Sequence, residues 1–160
     1  MECAPVDPFF VAGYVGGSFW GAAFVALSGN RIGATVAGCI FTLALLTSLR
    51  YSPNSTVVML SVGFTVITVG AMLIDWLLFH PFIEYVVLYY GVFIGFYSVR
   101  DIYDDLVVRT AEGSDAVACY KLCPICLPRC VGVQWGMIAM AFQVIGLYLA
   151  LCWLASTNYD

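Results

Sequence analysis

Long apolar stretches, separated by short polar breaks, run through most of this chain. Because the stretches are continuous and do not alternate apolar with polar residues, they predict helices and not strands. A helix needs about 20 apolar residues to cross the hydrocarbon core of a bilayer. Five stretches meet or approach that length, at about residues 9–28, 32–49, 56–78, 81–99 and 131–154. We therefore predict an all-α, polytopic membrane helix bundle of about five transmembrane helices, forming a single membrane domain over residues 1–160.

Turn-forming residues occupy the breaks between the predicted spans. Ser-Gly-Asn lies at positions 28–30, Ser-Pro-Asn lies at 52–54, and His80-Pro81 separates the third span from the fourth. Glycine, asparagine and proline are typical of turns because of their backbone preferences. The positions of these turn residues therefore support the same five spans.

The composition agrees with a membrane protein. Apolar residues make up 62% of the chain and charged residues only 10%, whereas a soluble domain carries about 45–50% and about 25%. The lipid bilayer is therefore the expected partner. The net charge of −4 and the lack of a basic patch argue against a nucleic-acid partner.

The distribution of basic residues predicts the orientation. With five spans, five of the six basic residues share the N-terminal side of the membrane: Arg50, Arg100, Arg109, Lys121 and Arg129. Arg31 lies on the opposite side. The excess of positive charge predicts that the N-terminus and the 100–130 loop are cytosolic. Asn54 begins a glycosylation sequon on the predicted cytosolic side, so a glycan there would reverse this orientation.

Three pairs of glycines have the small-xxx-small spacing that lets membrane helices approach closely: Gly17/Gly21, Gly91/Gly95 and Gly132/Gly136. Packing within the chain is the favoured interpretation, because small residues are common in any helix bundle. A homo-oligomer formed through one of these pairs is the alternative.

The stretch FYSVRDIYDDLVVRTAEGSDA, at residues 96–116, concentrates the carboxylates of the chain. A helix that leaves the membrane and becomes solvated accounts for Asp104 and Asp105. Asp101 lies at the interface itself, where a carboxylate usually has a partner or a function. Arg100 could be that partner by extending its side chain.

The DIYDDL…R…GSDA pattern, together with the glycine-rich segment at residues 13–22, resembles the M50B-like peptidases, which are membrane-embedded relatives of the site-2 proteases. The resemblance implies a zinc metallopeptidase in which an HExxH helix supplies two histidines and a glutamate. Asp101 is the best match to the carboxylate that would complete the zinc ligands. Asp104 and Asp105 belong to the same motif, and Ser114 and Asp115 match a Ser-Asp pair of the family.

The chain lacks the zinc-binding motif that hydrolysis by this family requires. The chain has one histidine, His80, and no HExxH sequence. A catalytic zinc usually takes three protein ligands and a water molecule, and the glutamate that would act on that water is missing as well. In its 160-residue form the chain is expected to hold no zinc and to be inactive. It is predicted to be a fragment of a longer, zinc-dependent enzyme or a non-catalytic pseudoprotease.

Asp75, His80 and Glu84 cluster around the end of the third span. Side chains that reach water at the interface are the favoured interpretation over metal binding. A small transporter or channel subunit that uses Asp75 and Glu84 is an alternative function.

Four of the seven cysteines lie within twelve residues, at Cys119, Cys123, Cys126 and Cys130. Their spacing differs from that of structural zinc sites and iron–sulfur runs, and disulfides are disfavoured in the cytosol. Lipidation or reduced thiols are therefore favoured over metal binding. A lipidated membrane adaptor that acts through this loop is a further alternative function.

Overall fold

The structure is a computed structural model that describes residues 8–51, 54–78, 81–104 and 128–157. These residues form five α-helices: α1 (Pro8–Leu27), α2 (Arg31–Tyr51), α3 (Ser55–Leu77), α4 (Phe82–Ile102) and α5 (Pro128–Thr157). Tyr103 and Asp104 continue α4 in a wider π-helical turn. No strand occurs in the described residues, and the predicted all-α class is confirmed.

Four of the helices contain segments long and apolar enough to cross a membrane, namely Arg31–Tyr51, Ser55–Leu77, Phe82–Ile102 and Gly132–Ser156. Helix α1 is 20 residues long and carries no charged side chain, and its segment Gly16–Leu27 is apolar. Large apolar side chains such as Val66, Leu73 and Val144 point outward and are exposed. An apolar exterior of this kind fits a lipid environment, so the chain is a multi-pass membrane protein.

Asparagines from two of the predicted turns begin the helices that follow them. The side-chain oxygen of Asn30 accepts the amide of Ile32 at 3.0 Å, and that of Asn54 accepts the amide of Thr56 at 3.1 Å. Asn54 has extended backbone angles, φ −99° and ψ 120°. Both are N-caps, which satisfy amides that the first helical turn leaves unpaired.

The chain divides into two compact units. The first comprises Met1–Ala23 and Gly91–Leu147, and the second comprises Phe24–Tyr90 and Tyr148–Asp160. Helices α1, α4 and α5 contribute residues to both units, whereas α2 and α3 lie wholly in the second. The single membrane domain over residues 1–160 stays a prediction.

In the first unit, helices α1 and α4 cross with their glycines facing each other. A methyl group added to Gly21 would lie 2.7 Å from the backbone nitrogen of Gly95 and 2.9 Å from the carbonyl oxygen of Gly91. Gly17 in the same way faces the hydroxyl of Ser98. Two of the three predicted glycine pairs are therefore used within the chain. Around Gly136, in contrast, there is open space to 4 Å.

In the second unit, α2 and α3 run antiparallel and pack against the start of α4. Gly38 of α2 permits the contact, because a methyl group there would lie 2.6 Å from the terminal carbon of Met72. Tyr90 of α4 packs against both α2 and α3. Its ring lies 4.8 Å from that of Phe41, and its hydroxyl is 3.3 Å from that of Thr68. This packing fixes the helix ends that form the site described next.

Candidate functional site

A buried carboxylate joins three helices at one end of the second unit. Asp75 lies in the last turn of α3 and is 4% exposed. Its Oδ2 is 3.0 Å from the Nε of Arg31, the first residue of α2. Its Oδ1 accepts the backbone amide of Ile83, in the first turn of α4, at 3.2 Å. A single side chain therefore links α3 to the N-terminal ends of α2 and α4.

The physical chemistry of helix ends explains this arrangement. The first amides of a helix have no partner within it, and they carry a partial positive charge. Asp75 satisfies one such amide of α4 and neutralises the arginine that begins α2. A buried charge is tolerated only where it is paired and hydrogen-bonded, and Asp75 has both kinds of partner.

This position differs from the predicted one, in which Asp75 reached water at the interface. The pairing joins residues 44 positions apart, so only the antiparallel packing of α2 on α3 brings it about. Glu84, next to Ile83, is partly buried and lies within electrostatic range of Asp75 and Arg31. His80, the third member of the predicted cluster, lies outside the described residues.

A cavity of about 490 Å³ opens beside the ion pair. Arg31 and Asp75 supply its charged part, and the rest of the wall is mostly apolar: Ile32, Thr35, Val36, Met72, Trp76 and Ile83. Small-molecule sites commonly have volumes of about 300–1,000 Å³ and a few polar groups on an apolar wall. The cavity therefore has the size and composition of a binding site.

A second polar feature lies in the first unit, between α1 and α5. The side-chain amide of Gln143 donates to the carbonyl oxygen of Ser18 at 3.1 Å. The hydroxyl of Ser18 is fully buried and makes no hydrogen bond within the described part of the chain. Gln143 is one of two glutamines in this mostly apolar span, and such a residue is a signal for a polar contact, whereas no sequence pattern identified Ser18.

At the end of α4 the structure describes two of the predicted carboxylates, Asp101 and Asp104. Asp101 is exposed. Arg100, its suggested partner, instead forms an ion pair with Asp104, in which the Nε and Oδ2 atoms are 3.4 Å apart. Four-residue spacing places the side chains of Arg100 and Asp104 on the same helix face, which adjacent residues such as Arg100 and Asp101 do not share.

Several predicted site residues lie outside the described part of the chain: Asp105, Ser114, Asp115, Cys119, Cys123 and Cys126. Cys130, the last of the cysteine cluster, lies in the first turn of α5 and is exposed. The proposals of lipidation, reduced thiols or metal binding at the cluster stay predictions.

The described residues do not form the zinc centre of a metallopeptidase. Within residues 8–51, 54–78, 81–104 and 128–157, no three histidine, cysteine, aspartate or glutamate side chains come together in a group that could hold a metal ion. Asp101 is exposed at the end of α4, and the chain contains one histidine, whereas a catalytic zinc usually needs three protein ligands.

The helical fold and the apolar exterior define the class: a multi-pass, all-α membrane protein. A match to the family described as Peptidase M50B-like covers residues 8–150, more than half of the chain. The chain therefore belongs to the Peptidase M50B-like family, and the predicted resemblance is confirmed. No curated protein and no solved structure matches it.

Proposed function

We propose that this 160-residue chain is a non-catalytic member of the Peptidase M50B-like family, acting in the membrane as a pseudoprotease or binding scaffold. The observation that carries the proposal is the single histidine of the sequence. An HExxH motif needs two histidines one helical turn apart, with a glutamate between them to act on the zinc-bound water. This chain cannot supply that set, so we derive no hydrolytic step for it.

A longer form of the protein is the alternative within the same family. If an HExxH helix is encoded upstream in frame, zinc becomes the expected cofactor, and Asp101 is our candidate for the carboxylate ligand. The exposure of Asp101 at the end of α4 leaves it accessible to such a segment. Searching the genomic sequence upstream of Met1 for an in-frame HExxH separates the two forms.

A direct test measures zinc content and proteolysis on the purified 160-residue protein. We expect substoichiometric zinc by elemental analysis and no chelator-sensitive cleavage of peptides in proteoliposomes. Asp101→Asn and the matched control Asp104→Asn, from the same helix end, should behave like the wild type. Stoichiometric zinc with chelator-sensitive cleavage, both lost in Asp101→Asn and kept in Asp104→Asn, would contradict the proposal.

The cysteine cluster needs its own control in this experiment, because thiolates also bind zinc. Zinc that survives Asp101→Asn but is lost when the four cysteines are replaced by serine would assign the metal to the cluster. That result without cleavage would leave the non-catalytic proposal intact.

We also propose that the N-terminus and the 100–130 loop are cytosolic, on the basis of the five basic residues that share one side. Protease protection of terminal epitope tags in sealed vesicles tests this. Five crossings place the two tags on opposite sides, whereas four crossings, without α1, place them on the same side. The transporter, adaptor and homo-oligomer alternatives stay predictions.

A further inference from the structure

The cavity beside the Arg31–Asp75 pair offers a positively charged group that is only partly used. Arg31 gives its Nε to Asp75, and its two terminal amino groups make no hydrogen bond to any described residue. Its side chain is 49% exposed and lines the cavity. The terminal edge of a guanidinium presents two parallel donors, a geometry that suits the oxygens of a phosphate group.

Negative charge and an aromatic face lie close to this guanidinium. Asp75 balances the charge of Arg31. Glu84 lies in the first turn of α4, directly after Ile83 of the cavity wall, and is partly buried, so the three side chains together carry a formal charge of −1. Trp76 lines the same cavity and is 80% exposed. A carboxylate and an indole face both attract an organic ammonium group. The site therefore has complementary places for a phosphate and for a cation, whereas a ligand with net negative charge would meet an excess negative charge.

The position of the cavity in the fold indicates how such a ligand would enter. Arg31 begins α2, Asp75 and Trp76 lie near the end of α3, and Ile83 is in the first turn of α4. These helices are long enough to span a bilayer, so their ends lie near the level of the lipid headgroups. From Arg31 the wall continues along Ile32, Thr35 and Val36 of α2, which are apolar or weakly polar and lead toward the hydrocarbon.

We propose that this cavity binds one zwitterionic glycerophospholipid, with its phosphate on the terminal edge of Arg31, its ammonium group between Trp76 and Glu84, and its upper acyl chain along α2. Phosphatidylethanolamine and phosphatidylcholine share this headgroup chemistry. The site is independent of any zinc chemistry, so it does not rest on the non-catalytic function proposed above.

The test compares lipids that differ only in the headgroup. Delipidated full-length chain in dodecyl maltoside is titrated with phosphatidylethanolamine, phosphatidylcholine or phosphatidylglycerol of identical acyl chains, and bound lipid is counted by native mass spectrometry. We expect one saturable site whose affinity for the two zwitterionic lipids exceeds that for phosphatidylglycerol by about fivefold or more. The contact of an ammonium group with an indole and a carboxylate is strong enough to produce an affinity difference of this size.

Three variants locate the site. Glu84→Gln and Trp76→Leu should each reduce the headgroup preference, and Arg31→Lys, which keeps the charge opposite Asp75, should weaken the binding of all three lipids. The matched controls are Arg50→Gln, at the other end of α2, and Trp20→Leu, from the first unit. Both should keep the affinity and the preference of the wild type.

Four outcomes would overturn the proposal. The first is the absence of saturable lipid binding, and the second is equal or tighter binding of phosphatidylglycerol. The third is a headgroup preference that persists in both Glu84→Gln and Trp76→Leu. Free phosphocholine that competes at the same concentration as the lipid would also refute the commitment to a phospholipid, because the acyl chain would then contribute nothing.

Discussion

Replacing Arg31 should destabilise the protein more than neutralising its partner Asp75. The reason is the unequal exposure of the two side chains, 49% for Arg31 and 6% for Asp75. In Arg31→Gln, the buried carboxylate loses its arginine. In Asp75→Asn, the amide oxygen of the new asparagine can still accept the amide of Ile83, and the half-exposed arginine turns to water and lipid headgroups.

The expected magnitudes follow from these environments. Removing one partner of a fully buried ion pair costs about 3–5 kcal/mol. Because Arg31 is half-exposed, water screens the pair, and we expect about 2–3 kcal/mol for Arg31→Gln. Asp75→Asn should cost about 1 kcal/mol or less, as for an exposed pair. Asp75→Ala also leaves the Ile83 amide unpaired and should add about 1–2 kcal/mol to the cost of Asp75→Asn.

The assay is reversible unfolding in mixed micelles, with helix content followed by circular dichroism. The Arg31→Gln/Asp75→Asn double variant is the decisive sample. It lacks the buried carboxylate of Asp75 and should therefore be more stable than Arg31→Gln alone. Single hydrogen bonds in a membrane protein contribute on average about 0.6 kcal/mol, so a difference above about 1 kcal/mol points to the buried charge.

The exposed pair Arg100–Asp104 provides the control, because its side chains are 64% and 42% exposed. Arg100→Gln should change the unfolding free energy by no more than about 0.5 kcal/mol. Equal destabilisation by Arg31→Gln and Asp75→Asn, or a double variant less stable than Arg31→Gln, would refute the reasoning.

Three further predictions concern packing, capping and topology. Gly21→Ala should cost about 1–3 kcal/mol in the same unfolding assay, because the added methyl group would lie 2.7 and 2.9 Å from backbone atoms. The control Gly136→Ala, with open space around it, should be neutral or slightly stabilising. An equal loss of stability in both variants would contradict the crossing of α1 and α4. Asn30→Ala should cost about 1 kcal/mol while Asn30→Asp should not, and equal stability of the two variants would exclude the cap. Asn54 should carry no glycan after expression with microsomes, and an endoglycosidase-sensitive mass shift that disappears in Asn54→Gln would reverse the proposed orientation.

The helices themselves were predictable from local information. Continuous apolar runs and turn residues suffice to predict helices, because a chain in lipid must satisfy its backbone hydrogen bonds within each segment. The two asparagine caps lie within the predicted turns for the same local reason, since a cap contacts amides only two or three residues away. The M50B-like resemblance was also available from short motifs near residues 13–22 and 101–116.

The partners of the polar residues were not predictable in this way. From the sequence we predicted Arg31 alone on one side of the membrane and Arg100 as the partner of Asp101. The structure instead pairs Arg31 with Asp75 and Arg100 with Asp104. In the same way, the small-xxx-small spacing identified glycine pairs without saying which helix each one meets. Such choices depend on which helices are neighbours and on how each is rotated about its axis.

The sequence alone therefore determined an all-α membrane protein of the M50B-like type with one histidine. The tertiary structure decided where its charges are neutralised and where a cavity remains. The physical reason is the range of the interactions: burial in lipid and helix capping act within a segment, whereas the ion pair of Arg31 with Asp75 joins residues 44 positions apart and exists only once α2 and α3 have packed.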